Sequence, residues 1–299
     1  MSARPRILVF GAGGRLGAAL ARAYGAEAQV QRCGRAEADL ADPAAIARLV
    51  RAARPDVVIN CAAVTNVDLC QTERELARAV NAESPRQMAR ACTETGARLV
   101  HISTDYVFSG EARTPYAEDS VAAPLSWYGS TKLEGEEAVL EAGALHAVVR
   151  VSWVFGPDRD SFVDKALQAA LRGEAVRAVA DKWSSPTYTL DAADALRAFF
   201  TVAAPGGIYH LCNRGVCTWL EWAQAGIDAA LASGLPVATT SVEPLRLADL
   251  TAMVAPRPVY SAMSCRKLES LLGRPLRPWA EAVADHVKRQ ADAGMLATG

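Results

Sequence analysis

Short apolar runs, each followed by a helix-length stretch, set the pattern of the first half of the chain. Residues 6–10, 56–60, 98–103 and 146–150 are nearly continuous in apolar side chains rather than alternating, and a weaker run at 28–31 completes the set. Unbroken runs of this length fit strands covered on both faces of a parallel sheet. Their alternation with helical stretches, one of them ending near Arg54, predicts an α/β fold built on a doubly wound parallel sheet of Rossmann type. In such sheets ligands collect at the carboxyl ends of the strands. That rule points to Gly11, to Cys61, Ala62 and Ala63, to Thr104, Asp105 and Tyr106, and to Ser152 and Trp153. The second half is less regular, with a polar loop at 158–161, a turn-rich stretch at 236–257 and a terminal helix expected over 278–293.

The first run passes directly into Gly11, Ala12, Gly13, Gly14, Arg15, Leu16 and Gly17, and then into an alanine-rich stretch that reaches Tyr24. Strand, glycine turn and helix in that order are the context a dinucleotide fingerprint demands, and the spacing Gly-x-x-Gly-x-x-Gly is a variant of it. Glycines let backbone approach a pyrophosphate, and the free N–H groups at the helix start receive its charge. A plain structural turn is the alternative. After the second strand the chain offers Arg32, Gly34 and Arg35, with no acidic residue for a ribose diol, which favours NADPH over NADH. Arg15 adds positive charge for a 2′-phosphate. The competing reading has these arginines simply solvated on a loop. Asp39, beside Leu40, is a partner for the adenine amino group.

Tyr128 and Lys132 are four residues apart, so on a helix they share a face. A cation beside a phenol favours its ionised form and tunes it for proton exchange. Thr104 sits where a carbonyl oxygen would lie, and with Tyr128 it can stabilise the charge that builds there as hydride arrives. The structural alternatives are a surface pair for Tyr128 and Lys132, a turn cap for Thr104, and a carboxylate for Asp105 that only satisfies loop N–H groups.

Composition narrows the function classes. The chain has 299 residues, 51% hydrophobic and 22% charged, with a formal charge of −1, as expected of a soluble globular enzyme. That balance offers no electrostatic case for nucleic acid or an anionic membrane as partner. No apolar run approaches a transmembrane length, and Gly11 breaks the N-terminal apolar segment too early for a secretory signal, so a cytoplasmic location is expected. The seven cysteines are scattered without paired spacing, which predicts reduced and mostly buried thiols. His101, His146 and His210 fall in apolar segments and read as packed core residues, His286 is isolated, and no metal is assigned. Trp219, Trp222 and Trp279 read as core or cleft walls.

With these residues in view, the chain resembles the dTDP-4-dehydrorhamnose reductase family of the extended short-chain dehydrogenase/reductase superfamily. The glycine turn, residues 103–110, 128–136 and 150–154, Ser185 to Tyr188, Gly207 to Leu211, and Arg257 with Pro258 carry the resemblance over nearly the whole chain. It implies a dinucleotide-binding core over 1–151 and a smaller substrate-binding region over 152–299, with segments returning to the core. It implies that Gly14, Arg15, Leu16, Asp39, Leu40, Ala63, Val64, Thr65, Tyr128 and Lys132 contact the nicotinamide cofactor; the reading of the glycine turn and of the loop after the second strand adds Gly11, Gly17 and Arg35 to that site. Thr104, Asp105, Tyr106 and Trp153 would meet a dTDP-linked 4-keto-6-deoxysugar, reduced at C4 to dTDP-L-rhamnose.

Two departures stand out. Arg15 replaces a common glutamine, and Asp181-Lys182-Trp183-Ser184 replaces a segment usually reading Asp-Gln-x-Gly, so Lys182 either meets the diphosphate or is exposed. Other readings are a 4-ketoreductase for a different nucleotide-linked deoxysugar, an epimerase of the same superfamily, and a non-catalytic subunit resembling the regulatory subunit of methionine adenosyltransferase. No sequence feature marks an isologous surface, and the oligomeric state stays open.

Overall fold

The computed structural model describes residues 4–201 and 204–296. Its centre is a six-stranded sheet of β1 (Arg6–Phe10), β2 (Gln29–Cys33), β3 (Val57–Asn60), β4 (Arg98–Thr104), β5 (Ala147–Val151) and β6 (Gly207–His210). All neighbours pair in parallel, in the order β6-β5-β4-β3-β1-β2. The doubly wound sheet expected from the apolar runs is therefore present. Chain direction across the sheet reverses between β1 and β3, because β1 is followed by β2 on one side and by β3 on the other. The crevice between their carboxyl ends is the topological switch point.

Side chains alternate between two cores. Ile7 and Val9 of β1 join Leu20 and Tyr24 on one face, while Leu8 and Phe10 join Ile46, Val50 and Met88 on the other. With both faces covered, neither position along the strand tolerates a polar side chain, which is why the runs are continuous. The second strand lies at 29–33 rather than 28–31, and it is an edge strand with Gln29, Gln31 and Arg32 exposed. The opposite edge, β6, comes from the second half of the chain and pairs with β5 from Gly207 opposite Ala147 to His210 opposite Arg150. The helix Thr189–Leu196 packs on the helix Arg15–Tyr24, where the Tyr24 hydroxyl donates to the Ala193 carbonyl at 2.7 Å.

A separate core lies beyond the sheet and includes Phe155, Val163, Tyr188, Trp222, Val283 and Val287, with Trp219 and Trp279 packed against it. The terminal helix spans Trp279–Asp292. It is pinned by Asp164, whose carboxylate accepts from His286 Nε2 at 2.7 Å, Gln290 Nε2 at 2.8 Å and the Ser161 N–H at 2.7 Å. His101, His146 and His210 are buried, as are six of the seven cysteines, with Cys61 half-buried. Among the described residues no helix is long and apolar enough to cross a membrane.

Candidate active site

The glycine turn lies at the switch point. Gly11 takes a φ of +72°, and a Cβ there would stand 2.8 Å from the Ala62 nitrogen, so a side chain would collide with the loop that follows β3. A Cβ on Gly17 would come within 2.3 Å of the Gly11 carbonyl oxygen, which is how the helix Arg15–Tyr24 starts so close to the strand. No acidic residue occupies the first turn of that helix. Its N-terminal N–H groups and positive dipole end therefore face the crevice without an internal counter-charge.

Around this turn the predicted residues separate. Leu16 and Leu40 are buried, whereas Arg35, Asp39 and Thr65 are exposed. Arg15 does not pair with the Arg32 and Arg35 loop: its guanidinium donates to the carbonyls of Arg159 (3.1 Å) and Asp160. Together with the ion pair of Arg22 and Asp158, this ties the polar loop at 158–161 to the glycine turn. Arg32 reaches the Ala12 carbonyl at 3.4 Å. The loop carrying Ala63, Val64 and Thr65 is held by a residue that pattern reading missed. Asn81, buried in a π-helical turn (Ala79–Glu83), accepts from the Val64 N–H at 2.9 Å and donates to the Val64 carbonyl at 3.1 Å. A lone Asn in an apolar stretch was the one available signal.

At the carboxyl end of β4, Thr104 meets the helix Trp127–Ala142, which starts at the Ser126 cap. Tyr128 and Lys132 lie on its buried face. The Tyr128 ring stands edge-on to Tyr106 at 5.6 Å and packs with Val64 and Cys70. Burial pushes the Tyr128 phenol well above its ordinary pKa, opposed by a hydrogen bond with Thr104. Lys132 is not directed at the phenol as the spacing alone implied. Its Nζ donates to the Ile102 carbonyl at 2.7 Å and lies 3.1 Å from His101 Nε2. Burial brings its ammonium down to about 8. Burial is thus the leading cause of both shifts, and neither group figures among the causes of the other's.

Asp105 is not a loop-capping carboxylate. It is buried and accepts hydroxyl protons from Thr104 at 3.1 Å, Ser184 at 3.2 Å and Ser261 at 2.5 Å. The Thr104 hydroxyl also accepts from the Tyr106 N–H at 3.2 Å, so its turn-capping role is real and coexists with the other contacts. Ser184, one of the departures, is a fully buried part of this hub and lies 2.6 Å from the Ser152 hydroxyl.

Lys182 is not exposed. It is wholly buried, donates to the Pro258 carbonyl, and carries its ammonium 5.3 Å from the Tyr106 ring centre and 6.0 Å from that of Trp153. Trp153 adopts a left-handed φ of +42°, rare for a residue with a side chain, and stacks on Trp222. Arg257 anchors the segment bearing Pro258 and Ser261 through a two-pronged pair with Asp68 at 2.8 and 2.9 Å. A carbonyl-bearing ligand placed beside Thr104 and Tyr128 would thus find a proton donor, hydroxyls, a buried carboxylate and an ammonium walled by aromatic rings.

Comparison with known proteins bears on what that ligand is. A family model described as RmlD substrate binding domain matches residues 5–291. A dTDP-4-dehydrorhamnose reductase of Streptomyces griseus is 40% identical, over 94% of this chain and 93% of that protein. A probable dTDP-4,6-dihydroxy-2-methyloxan-3-one 4-ketoreductase of Streptomyces antibioticus is 38% identical, over 94% of each. Among solved structures, the dTDP-4-dehydrorhamnose reductase of Bacillus anthracis in complex with NADP superposes with a TM-score of 0.87 at 30% identity, covering 95% of this chain and 98% of that one.

Proposed function

Since the chain belongs to the dTDP-4-dehydrorhamnose reductase family, we propose that it reduces the C4 ketone of dTDP-4-dehydro-L-rhamnose to dTDP-L-rhamnose with NADPH. The observation that carries this reading is the meeting of Thr104, Tyr128 and Lys132 at the end of β4, next to a glycine turn at the switch point. The turn fits a dinucleotide: Gly11 and Gly17 let strand, loop and helix start pack backbone to backbone, a Cβ on Gly13 would meet nothing within 4 Å, and the helix start has no acidic residue to repel a pyrophosphate. NADP in the Bacillus anthracis structure supports the same cofactor here.

NADPH, when bound, supplies the hydride that reaches C4. Tyr128 gives its phenolic proton to O4 as negative charge builds there, and Thr104 turns its hydroxyl from Asp105 to the same oxygen. The raised pKa of Tyr128 keeps the phenol protonated at neutral pH, the form a reduction requires. Lys132 offers its remaining N–H groups to the nicotinamide ribose. Leu16, Ala63, Val64 and Thr65 line the cofactor crevice, and Asp105, Tyr106 and Trp153 bound the sugar. Exposed Arg35, and Arg32 with its single long bond to the Ala12 carbonyl, are the side chains offered to a 2′-phosphate, since Arg15 is engaged with the loop at 158–161. The similarity to the Streptomyces antibioticus 4-ketoreductase, together with the buried Lys182, supports a second reading, a different dTDP-linked deoxysugar reduced by the same chemistry.

The test is turnover of enzymatically generated dTDP-6-deoxy-L-lyxo-4-hexulose, followed by nicotinamide absorbance. Tyr128→Phe removes one hydroxyl and keeps the ring contact with Tyr106, so kcat should fall by ~10²- to 10⁴-fold while NADPH binding persists. Thr104→Val should fall in the same direction. Full activity in Tyr128→Phe would remove the proposed proton donor. No turnover of this ketone by the wild-type protein would remove the rhamnose assignment.

A further inference from the structure

Two cysteines far apart in the sequence meet at the edge of the sheet. Cys212 stands two residues past the end of β6, and Cys265 directly precedes the helix Arg266–Leu272. Both are buried in the core that also holds Leu211, Met263 and Leu268. Their sulfurs are 3.2 Å apart, although 53 positions separate the residues. Bonds to backbone hold them there: the Cys212 N–H donates to Cys265 Sγ at 3.2 Å, the Cys265 thiol donates to the Cys212 carbonyl at 3.5 Å, and the Cys212 thiol donates to the Met263 carbonyl at 3.6 Å. A disulfide of ~2.05 Å would ask the sulfurs to close by roughly 1 Å. Cys70, by contrast, gives its thiol to the Val64 carbonyl, and among the described residues no other two cysteines share a hydrogen bond. The segment ahead of Cys265 is the one that supplies the Ser261 hydroxyl to Asp105 and the Pro258 carbonyl to Lys182. Its backbone meets Tyr116 on one side, at 2.8 Å through Ala262 and Ser264, and β6 on the other, where the Ser264 carbonyl lies 3.2 Å from His210 Nδ1.

We propose that Cys212 and Cys265 form an oxidation site, closed by hydrogen peroxide to an intrachain disulfide that staples the segment bearing Pro258 and Ser261 to the exit of β6. The Cys265 sulfur takes a hydroxyl from peroxide, whose O–O bond breaks, and the thiol proton leaves with the other oxygen as water. The Cys212 sulfur then attacks the sulfenic acid, the S–O bond breaks, and a second water carries away the Cys212 proton. Two thiols thus lose two electrons, and peroxide gains them. The bond with Cys212, and next burial, hold the Cys265 thiol well above its ordinary pKa, so the first step is slow. The second is fast, because the partner sulfur already stands 3.2 Å away. A bridge across 53 positions restricts the unfolded chain far more than the folded one, in which its two ends are already in contact.

The experiment exposes the folded, full-length protein to hydrogen peroxide overnight at pH 8, then unfolds it, alkylates the remaining thiols and maps its peptides without reductant. The expected map joins the peptides bearing Cys212 and Cys265, two hydrogen masses lighter than their sum, and dithiothreitol separates them again. Recovery of the two peptides apart, alkylated or carrying sulfinic acid, overturns the proposal, as does a bridge from either cysteine to a different partner. Urea unfolding reads the staple: the bridged protein should unfold at a higher urea midpoint than the same sample after dithiothreitol, and an equal or lower midpoint would overturn the staple. Cys265→Ser keeps a donor for the Cys212 carbonyl and removes one sulfur, so peroxide should leave its midpoint in place. The wild-type map and midpoint decide the matter should that variant not fold, and neither readout depends on what the protein reduces.

Discussion

A lysine with no exposed surface is an unusual thing to keep beside two aromatic rings, and Lys182 lets its electrostatic effect be measured without any ligand. Burial lowers its ammonium from the ordinary 10.5 to about 8, with Asp105 acting against the shift and Arg257 with it. Because the folded value lies below the unfolded one, the folded chain releases this proton first. The charge therefore destabilises the fold fully below about pH 8, and the penalty fades as pH rises toward 10.5. A displacement of that size is worth ~3 kcal/mol at 1.36 kcal/mol per unit. Lys182→Met keeps most of the stem and removes the charge. The lost bond to the Pro258 carbonyl and the lost ring contacts shift the stability difference by a constant, but they cannot bend it. Between pH 6.5 and 9.5 the difference between variant and wild type should change by ~2 kcal/mol, to the variant's disadvantage as pH rises.

Urea unfolding of both proteins across that range is the assay. Lys132 and every other titrating group is common to the two chains and cancels. A difference curve flat to within ~0.5 kcal/mol would mean that Lys182 keeps its ordinary pKa and is not desolvated, whereas a lysine already neutral in the fold at pH 6.5 would give a change of ~4 kcal/mol; either result would overturn the burial argument.

Other consequences can be checked with single variants. Gly17→Ala places a methyl group against the Gly11 carbonyl oxygen, which is backbone and cannot swing aside, so NADPH affinity should drop at least ~10-fold, read by quenching of protein fluorescence; unaltered affinity would mean the turn does not hold the cofactor. Asp105→Asn puts amide protons among three hydroxyl donors, so kcat/KM for the keto sugar should fall at least ~10-fold while cofactor binding stays within ~2-fold, and equal losses in both would argue for a purely structural hub. Burial raises the Asp164 carboxyl, yet its bonds to His286 and Ser161 outweigh that and bring it to about 2. This lowered value contributes ~2 kcal/mol above pH 4 that is lost as pH falls toward 2, and Asp164→Asn should flatten that part of the acid-unfolding curve; an unchanged slope would show that another carboxylate controls it.

What could be read along the chain, and what could not, divides by the range of the interaction. β1, β3, β4 and β5 announce themselves because both of their faces are buried, whereas β2 and β6 sit at the sheet edges, β2 mixing exposed with buried positions and β6 half-buried with buried ones. The glycine turn and the Tyr128 and Lys132 pair were legible because local geometry sets them: a turn between strand and helix, and a four-residue spacing on one helix face. The direction in which Lys132 points was not. It depends on a carbonyl and an imidazole contributed by β4, some thirty residues earlier in the chain.

Asp105 makes the same point more sharply. Its nearest hydroxyl belongs to Ser261, 156 residues away, and no periodicity links the two. Ser184 looked like the loss of a flexible glycine from the substrate cleft, but its hydroxyl is buried between Ser152 and Asp105, so the residue that weakened the family pattern is part of the floor on which Asp105 rests. The chemistry common to these reductases is written in short motifs, because proton donation needs only a few groups at fixed local spacing. The surroundings, namely Lys182, Ser184 and Ser261, are assembled by contacts that exist only once the sheet has closed and the segment around Pro258 has packed against Lys182 and the loop after β4.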